Sequence, residues 1–198
     1  TVIGGANVDI QGSPNNSLVM HDSNPGQIRS SLGGVGRNIA ENMSLLGLDV
    51  RLVTTIGDDK EGQLIRDNAS ERGINIEDSL ITTTKRTSTY LYIQNEKGEM
   101  LAAISDMEIV ALLDEKYLEK KLRKIDNSPY SIIDANLSQE TIEFLANKLT
   151  QTKLILDPVS TTKAKRVQHV LSKFYAVKLN KIEAEMLYGQ PLKTQEDV

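Results

Sequence analysis

Apolar residues fall along this chain in two alternating rhythms. Runs of strand length occur at Arg51 to Ile56, Tyr130 to Ala135, Lys153 to Asp157 and Tyr175 to Asn180. Each is followed by a stretch with helical character: Glu61 to Arg72, Ser138 to Thr150, Lys163 to Lys173 and Lys181 to Tyr188. Strand then helix, repeated, predicts an α/β fold built on a parallel sheet. A further strand-like run, Val2-Ile3-Gly4-Gly5-Ala6, opens the chain, and Ile39, Met43 and Leu46 recur at helical spacing. Gly47, Gly73 and Gly189 stand just past Leu46, Arg72 and Tyr188, where helices commonly end on a left-handed residue.

Two segments break the rhythm. Thr87 to Gln94 alternates Thr87, Thr89, Leu91 and Ile93 with Ser88, Tyr90 and Tyr92, then meets Asn95-Glu96-Lys97-Gly98 and a second extended run, Glu99 to Ser105. This is a β-hairpin pattern. Residues 11–32 are rich in Ser, Asn, Pro and Gly and lack helical periodicity, so they read as loop with one or two short strands. Segments 11–32 and 87–105 together are expected to form a small sheet projecting from the core as a lid. The 198 residues fit one domain, 1–198, with these segments inserted.

Composition narrows the partners. A formal charge of −4 and an isoelectric point near 5.3 argue against a nucleic-acid or anionic-membrane surface and favour a small molecule. The chain has no cysteine, which excludes disulfides and thiolate metal sites, and no apolar run reaches the roughly 18 residues of a membrane span. A cytoplasmic location is expected. The chain opens on Thr1 directly before a strand, so a trimmed start is expected as well.

Candidate chemistry gathers at strand ends. Gly33-Gly34-Val35-Gly36-Arg37-Asn38 opens a helical segment; glycine allows close backbone approach to a ligand, and a helix start offers N–H donors. It is not a dinucleotide fingerprint, because the third glycine is missing, and no Walker-type phosphate loop occurs elsewhere. Asn7 and Asp9 follow the first strand, and with Asn38 they suit the vicinal hydroxyls of a polyol, although Asn-x-Asp also forms turns. His21 and His169 lie in a loop and on a charged helix, which gives a Ser-His-Asp hydrolase little support. In Asn180-Lys181-Ile182-Glu183 the amide could contact a phosphate and the acid could orient water around Mg²⁺, or the two could form a helix capping box.

The order Asn7-x-Asp9, Gly33-Gly34-x-Gly36-x-Asn38, Gly57-Asp58-Asp59-x-x-Gly62, a hairpin lid, Asp157-Pro158 and Asn180-x-x-Glu183 resembles the ribokinase-like (phosphofructokinase-B) family of sugar and nucleoside kinases. The resemblance covers essentially the whole chain. It implies a Rossmann-like three-layer sandwich with a mostly parallel central sheet and a small β-sheet lid, with ATP and Mg²⁺ as cofactors and K⁺ as a possible monovalent activator. Asn7, Asp9, Gly34, Gly36 and Asn38 match ribose-binding positions; Asn136 stands where ribokinases place a substrate-contacting Glu. Asn180 matches a nucleotide-contacting Asn, and Glu183 an acid that organises Mg²⁺ through water.

Asp22 to Gly26, Thr87 to Leu91, Gly98 to Met107 and Asp157 to Ser160 are most similar to the branch of this family that phosphorylates the ribose 5′-hydroxyl of pseudouridine. Thr89, Ser105 and Asp106 are the candidate readers of the base. Alternatives are a ribose, adenosine or fructose kinase, or a non-catalytic sugar- or nucleoside-binding module. Family members also carry Gly-Ala-Gly-Asp, which forms an anion hole and supplies the general base; nothing in residues 1–198 matches it. The chain is therefore expected to be the N-terminal portion of a protein of about 300 residues, inactive alone, with its catalytic Asp beyond Val198. A homodimer through the lid is expected, because the edge of such a hairpin needs cover.

Overall fold

In the computed structural model, which describes residues 1–193, the chain begins at the heart of its main sheet. Val2 and Ile3 of β1 (Val2–Ile3) are fully buried although they point to opposite faces, so the sheet is covered on both sides. The chain then leaves the layer as β2 (Asn7–Pro14) and β3 (Gly26–Gly33) and returns through α1 (Val35–Leu45) to β4 (Leu52–Val53). β5 (Thr55–Gly57), α2 (Lys60–Glu71) and β6 (Leu80–Thr82) lead to a second excursion, β7 (Thr89–Gln94) and β8 (Met100–Asp106). Short helices α3 (Glu115–Glu119) and α4 (Leu122–Asp126) precede β9 (Tyr130–Asp134), α5 (Gln139–Lys148), β10 (Lys153–Asp157), α6 (Thr161–Arg166), β11 (Ala176–Val177) and α7 (Lys181–Tyr188).

The main sheet runs β11-β10-β9-β1-β4, all parallel. Ile3, Val53, Ile133 and Leu156 pack on one side with Leu118, Ile142 and Leu145. Val2 and Leu52 pack on the other with Ala40, Ala69 and Ile74. From β1 the chain builds outward first to β4, then returns to β9 on the opposite flank and builds away through β10 and β11. The order therefore reverses between β1 and β9, and the carboxyl ends of the strands at such a reversal are where open α/β sheets bind ligands.

The lid is larger than the sequence pattern suggests. Segment 11–32, read as mostly loop, supplies most of two eight-residue strands, in register from Asn7 opposite Gly33 to Pro14 opposite Gly26. β2 also pairs in parallel with β7, and β7 antiparallel with β8, giving a four-stranded sheet β3-β2-β7-β8. The expected strand 51–56 divides at Thr54: β4 joins the main sheet, whereas β5 pairs with β6 in a separate ribbon. The expected helix at 163–173 begins earlier, at Thr161, because Ser160 caps it, and gives way after Arg166 to a 3₁₀ turn. Gly47, Gly73 and Gly189 all carry positive φ at helix ends, as expected. Residues 193–198, whose sequence reads as the start of a further helix, fall mostly outside the described residues.

Candidate active site

Asp134 ends β9 and is completely buried. One oxygen accepts N–H groups from Gly5 at 2.8 Å and Gly36 at 2.7 Å, and the other accepts the N–H of Asn136 at 2.9 Å. Burial pushes this carboxyl above the usual carboxylate range, against the pull of those donors. It ties together the ends of β1 and β9 and the first turn of α1. Sequence reading missed Asp134; its signal was an acid at the end of an otherwise apolar strand.

The glycine turn is shaped by this crowding. Gly34 has φ +94°, and a Cβ there would lie 2.5 Å from the Gly5 carbonyl oxygen. A Cβ on Gly36 would sit 2.9 Å from backbone atoms of Gly4. The Gly36 N–H goes to Asp134 and the Arg37 N–H to the Gly5 carbonyl at 3.1 Å, so these donors of α1 serve the protein. The N–H groups of Gly36 and Arg37 are therefore already occupied within the protein.

Asn7 and Asp9 lie against Gly33, Asn136 lies against Gly5, Gly34 stands beside the Gly5 carbonyl, and the Asn38 N–H donates to the Gly34 carbonyl at 2.8 Å. The Asn7 amide donates to Asp9 at 2.6 Å, which leaves the second Asp9 oxygen, Oδ2, beside Gly33. Arg37, also overlooked, is 5% exposed and clamps the turn: it donates to the carbonyls of Gly33 and Leu32, to Asn38 Oδ1, to Asn68 and to Glu41 at 2.9 Å. With Oδ1 held, Asn38 has its amide N–H₂ to offer. The Asn136 side chain packs beside Gly5 and accepts the Lys163 ammonium at 2.5 Å.

The lid divides the proposed base readers. Register places Asp9, Ser31, Tyr90 and Ser105 in one row across β2, β3, β7 and β8, and Gln11, Arg29, Tyr92 and Ala103 in the next row of that face. Thr89 and Asp106 pair with each other one position along, beside Val8 and Leu32, and so lie on the reverse face. These two are thus separated from Asp9 and Ser105 by the two-residue period of the strand, and the Thr89 hydroxyl already donates to the Thr87 carbonyl. Ser105 lies on the Asp9 face beside Tyr90, whose ring is 5.8 Å from that of Tyr92.

Asn180 and Glu183 form both bonds of a capping box at α7: Glu183 N–H to Asn180 Oδ1, and Asn180 N–H to Glu183 Oε2, each at 2.9 Å. Asn180 retains its amide N–H₂, and Glu183 its second carboxylate oxygen, Oε1. No group of three or more His, Asp or Glu side chains gathers for a metal among the described residues. Asp157 accepts the Val159 N–H at 2.9 Å and lies 3.2 Å from Lys178. A separate cleft, lined by Thr1, Arg51, Asn75 and Lys124, lies near the amino end of β1.

Sheet order, lid and site together define a ribokinase-like sugar kinase fold. The chain resembles ribokinase from Arabidopsis thaliana, solved with ribose and ATP, with a TM-score of 0.79 at 18% identity over 99% of this chain and 64% of that one. Residues 1–198 match the pfkB family carbohydrate kinases, and the chain belongs to that family. It is 36% identical over 197 residues to a pseudouridine kinase of Escherichia coli K12, covering 100% of this chain and 63% of the relative. It is 29% identical over 198 residues to a guanosine-inosine kinase of Exiguobacterium acetylicum, covering 99% and 65%. The chain thus spans about two thirds of the length of these curated relatives. Among the described residues no helix is long and apolar enough to cross a membrane.

Proposed function

We propose that the whole protein is an ATP-dependent cytoplasmic kinase that phosphorylates the ribose 5′-hydroxyl of a nucleoside, with pseudouridine as its preferred substrate. What supports this reading is that Asn7 and Asp9 stand against Gly33, and Asn136 and Gly34 against Gly5, next to the β1/β9 reversal, with Asn38 in the first turn of α1. An acid and three amides around a backbone wall match the hydroxyls of a ribose. Asp9 accepts from the vicinal hydroxyls, while Asn38 and Asn136 hold ring and hydroxyl oxygens. The Asp9 face of the lid covers the base, with Tyr90 against the ring and Ser105 toward a ring N–H or carbonyl. Pseudouridine carries an extra N1–H because its glycosidic bond is to carbon, and a hydroxyl acceptor on that face discriminates it.

ATP and Mg²⁺ belong beyond β11. There the Asn180 amide faces the nucleotide and Glu183 orders Mg²⁺ through water, a role compatible with its one bond in the capping box. The general base, the anion hole and a monovalent-cation site belong to sequence beyond Val198. Initial rates of the full-length gene product on pseudouridine, uridine, adenosine and ribose test the assignment. Pseudouridine should be used best; preference for ribose refutes the nucleoside reading, and turnover of none of them refutes the kinase reading. In the same protein Asp9→Asn should weaken nucleoside binding by about 1 to 3 kcal/mol, read by calorimetry. Unchanged affinity removes Asp9 from the site.

A further inference from the structure

Lys163 is a half-buried lysine with no carboxylate within 4 Å among the described residues. Its ammonium donates to Asn136 Oδ1 at 2.5 Å, and the acid that chiefly acts on it is Asp134, buried behind the turn and already engaged with three N–H groups. Arg166, from the same helix α6, donates to the Ala135 carbonyl at 3.0 Å. Two cations therefore converge on the Ala135-Asn136 turn at the carboxyl end of β9. Other cations near this end of the sheet are paired: Arg37 with Glu41 at 2.9 Å and Lys178 with Asp157 at 3.2 Å. Burial depresses the Lys163 ammonium below the usual lysine range, so holding the charge there is unfavourable in the chain as it stands.

The backbone leading to α6 is also held away from its easiest conformation. Val159 has φ +65°, a region a β-branched side chain rarely adopts. It is kept there by its N–H bond to Asp157 and by the Ser160 cap that starts α6. The strained turn sets where Lys163 reaches the site.

We infer that Lys163 binds the 5′-phosphoryl oxygens of the phosphorylated nucleoside, with Asn136 holding the ammonium between sugar and phosphate. The inference rests on the nucleoside-kinase reading above. An ammonium has three donors, and Asn136 uses one, so two remain for phosphate oxygens. A lysine serves phosphate as a compact point charge. The anion supplies the counter-charge that the described chain does not bring to Lys163.

Calorimetry on the full-length gene product, with pseudouridine and pseudouridine 5′-phosphate as probes, tests this. Lys163→Met should weaken binding of the 5′-phosphate by about tenfold or more, the scale of a lost charge-assisted hydrogen bond, and shift nucleoside affinity by less than about threefold. Lys163→Arg should restore most of the loss. Lys163→Gln, which retains a donor for Asn136 without the charge, should behave like Lys163→Met and covers the case in which the methionine variant folds poorly. An unchanged ratio of the two affinities in the uncharged variants overturns the inference while the kinase reading stands. If the wild type binds neither probe, the kinase reading fails and this inference with it.

Discussion

Three N–H groups end on the carboxylate of Asp134, and the two from distant parts of the chain, Gly5 and Gly36, would be buried without an acceptor if it were removed. Asp134→Ala should therefore cost about 3 kcal/mol or more, since a single orphaned buried donor costs roughly 1 to 3 kcal/mol. Urea unfolding measures the loss; a change below about 0.5 kcal/mol would show that water or rearrangement satisfies the donors. The residues proposed for the ribose, Asn7, Asp9 and Asn38, were singled out because they sit at recognisable offsets from glycines. Asp134, Arg37 and Lys163 were not, because their partners are backbone or side-chain groups that meet them only in three dimensions. Thr89 and Asp106 show the converse: their chemistry suited a base, but strand parity turned them to the other face.

At the level of elements, the segment between β8 and β9 was the least legible, because helices of five residues, such as α3 and α4, are too short to show a period. Leu118 and Ile125 pack it into the core, and Asp78, a buried carboxylate, receives its Lys121 at 2.9 Å and Lys124 at 3.1 Å, with Arg51 at 3.4 Å. Burial alone would raise this carboxyl, yet the two lysine bonds prevail and hold it below the usual carboxylate range. A depressed folded-state value means that the stabilisation is present above the unfolded value of about 3.9 and is lost as pH falls through the lower folded value. Stability measured by urea titration between pH 6 and about pH 2 should thus fall less steeply with acid in Asp78→Asn than in the wild type. Equal slopes would show that Asp78 does not titrate with unfolding. Asp59 acts similarly at another joint: it caps α2 through the Gly62 N–H and accepts both the N–H and hydroxyl of Thr87, fixing the approach to β7.

Across the whole molecule, the lid has two unlike faces. The Asp9 face is polar, whereas Ile28, Leu91, Ile93 and Ile104 on the reverse are exposed, and β3 and β8 leave free edges. We propose a second copy of the chain as the cover for this face. Sedimentation should give a dimer for the full-length protein and a monomer for Ile104→Lys; a wild-type monomer at micromolar concentration would refute the lid interface. The sequence by itself determined the alternation of strands and helices, the glycine-terminated helix ends and the offsets of the residues proposed for the ribose, because these depend on neighbours within a few positions. Tertiary structure decided the four-stranded lid, the face each lid residue takes, the buried Asp134 and the reach of Lys163. These follow from pairings between residues tens to more than a hundred positions apart, and no local period or propensity encodes such pairings.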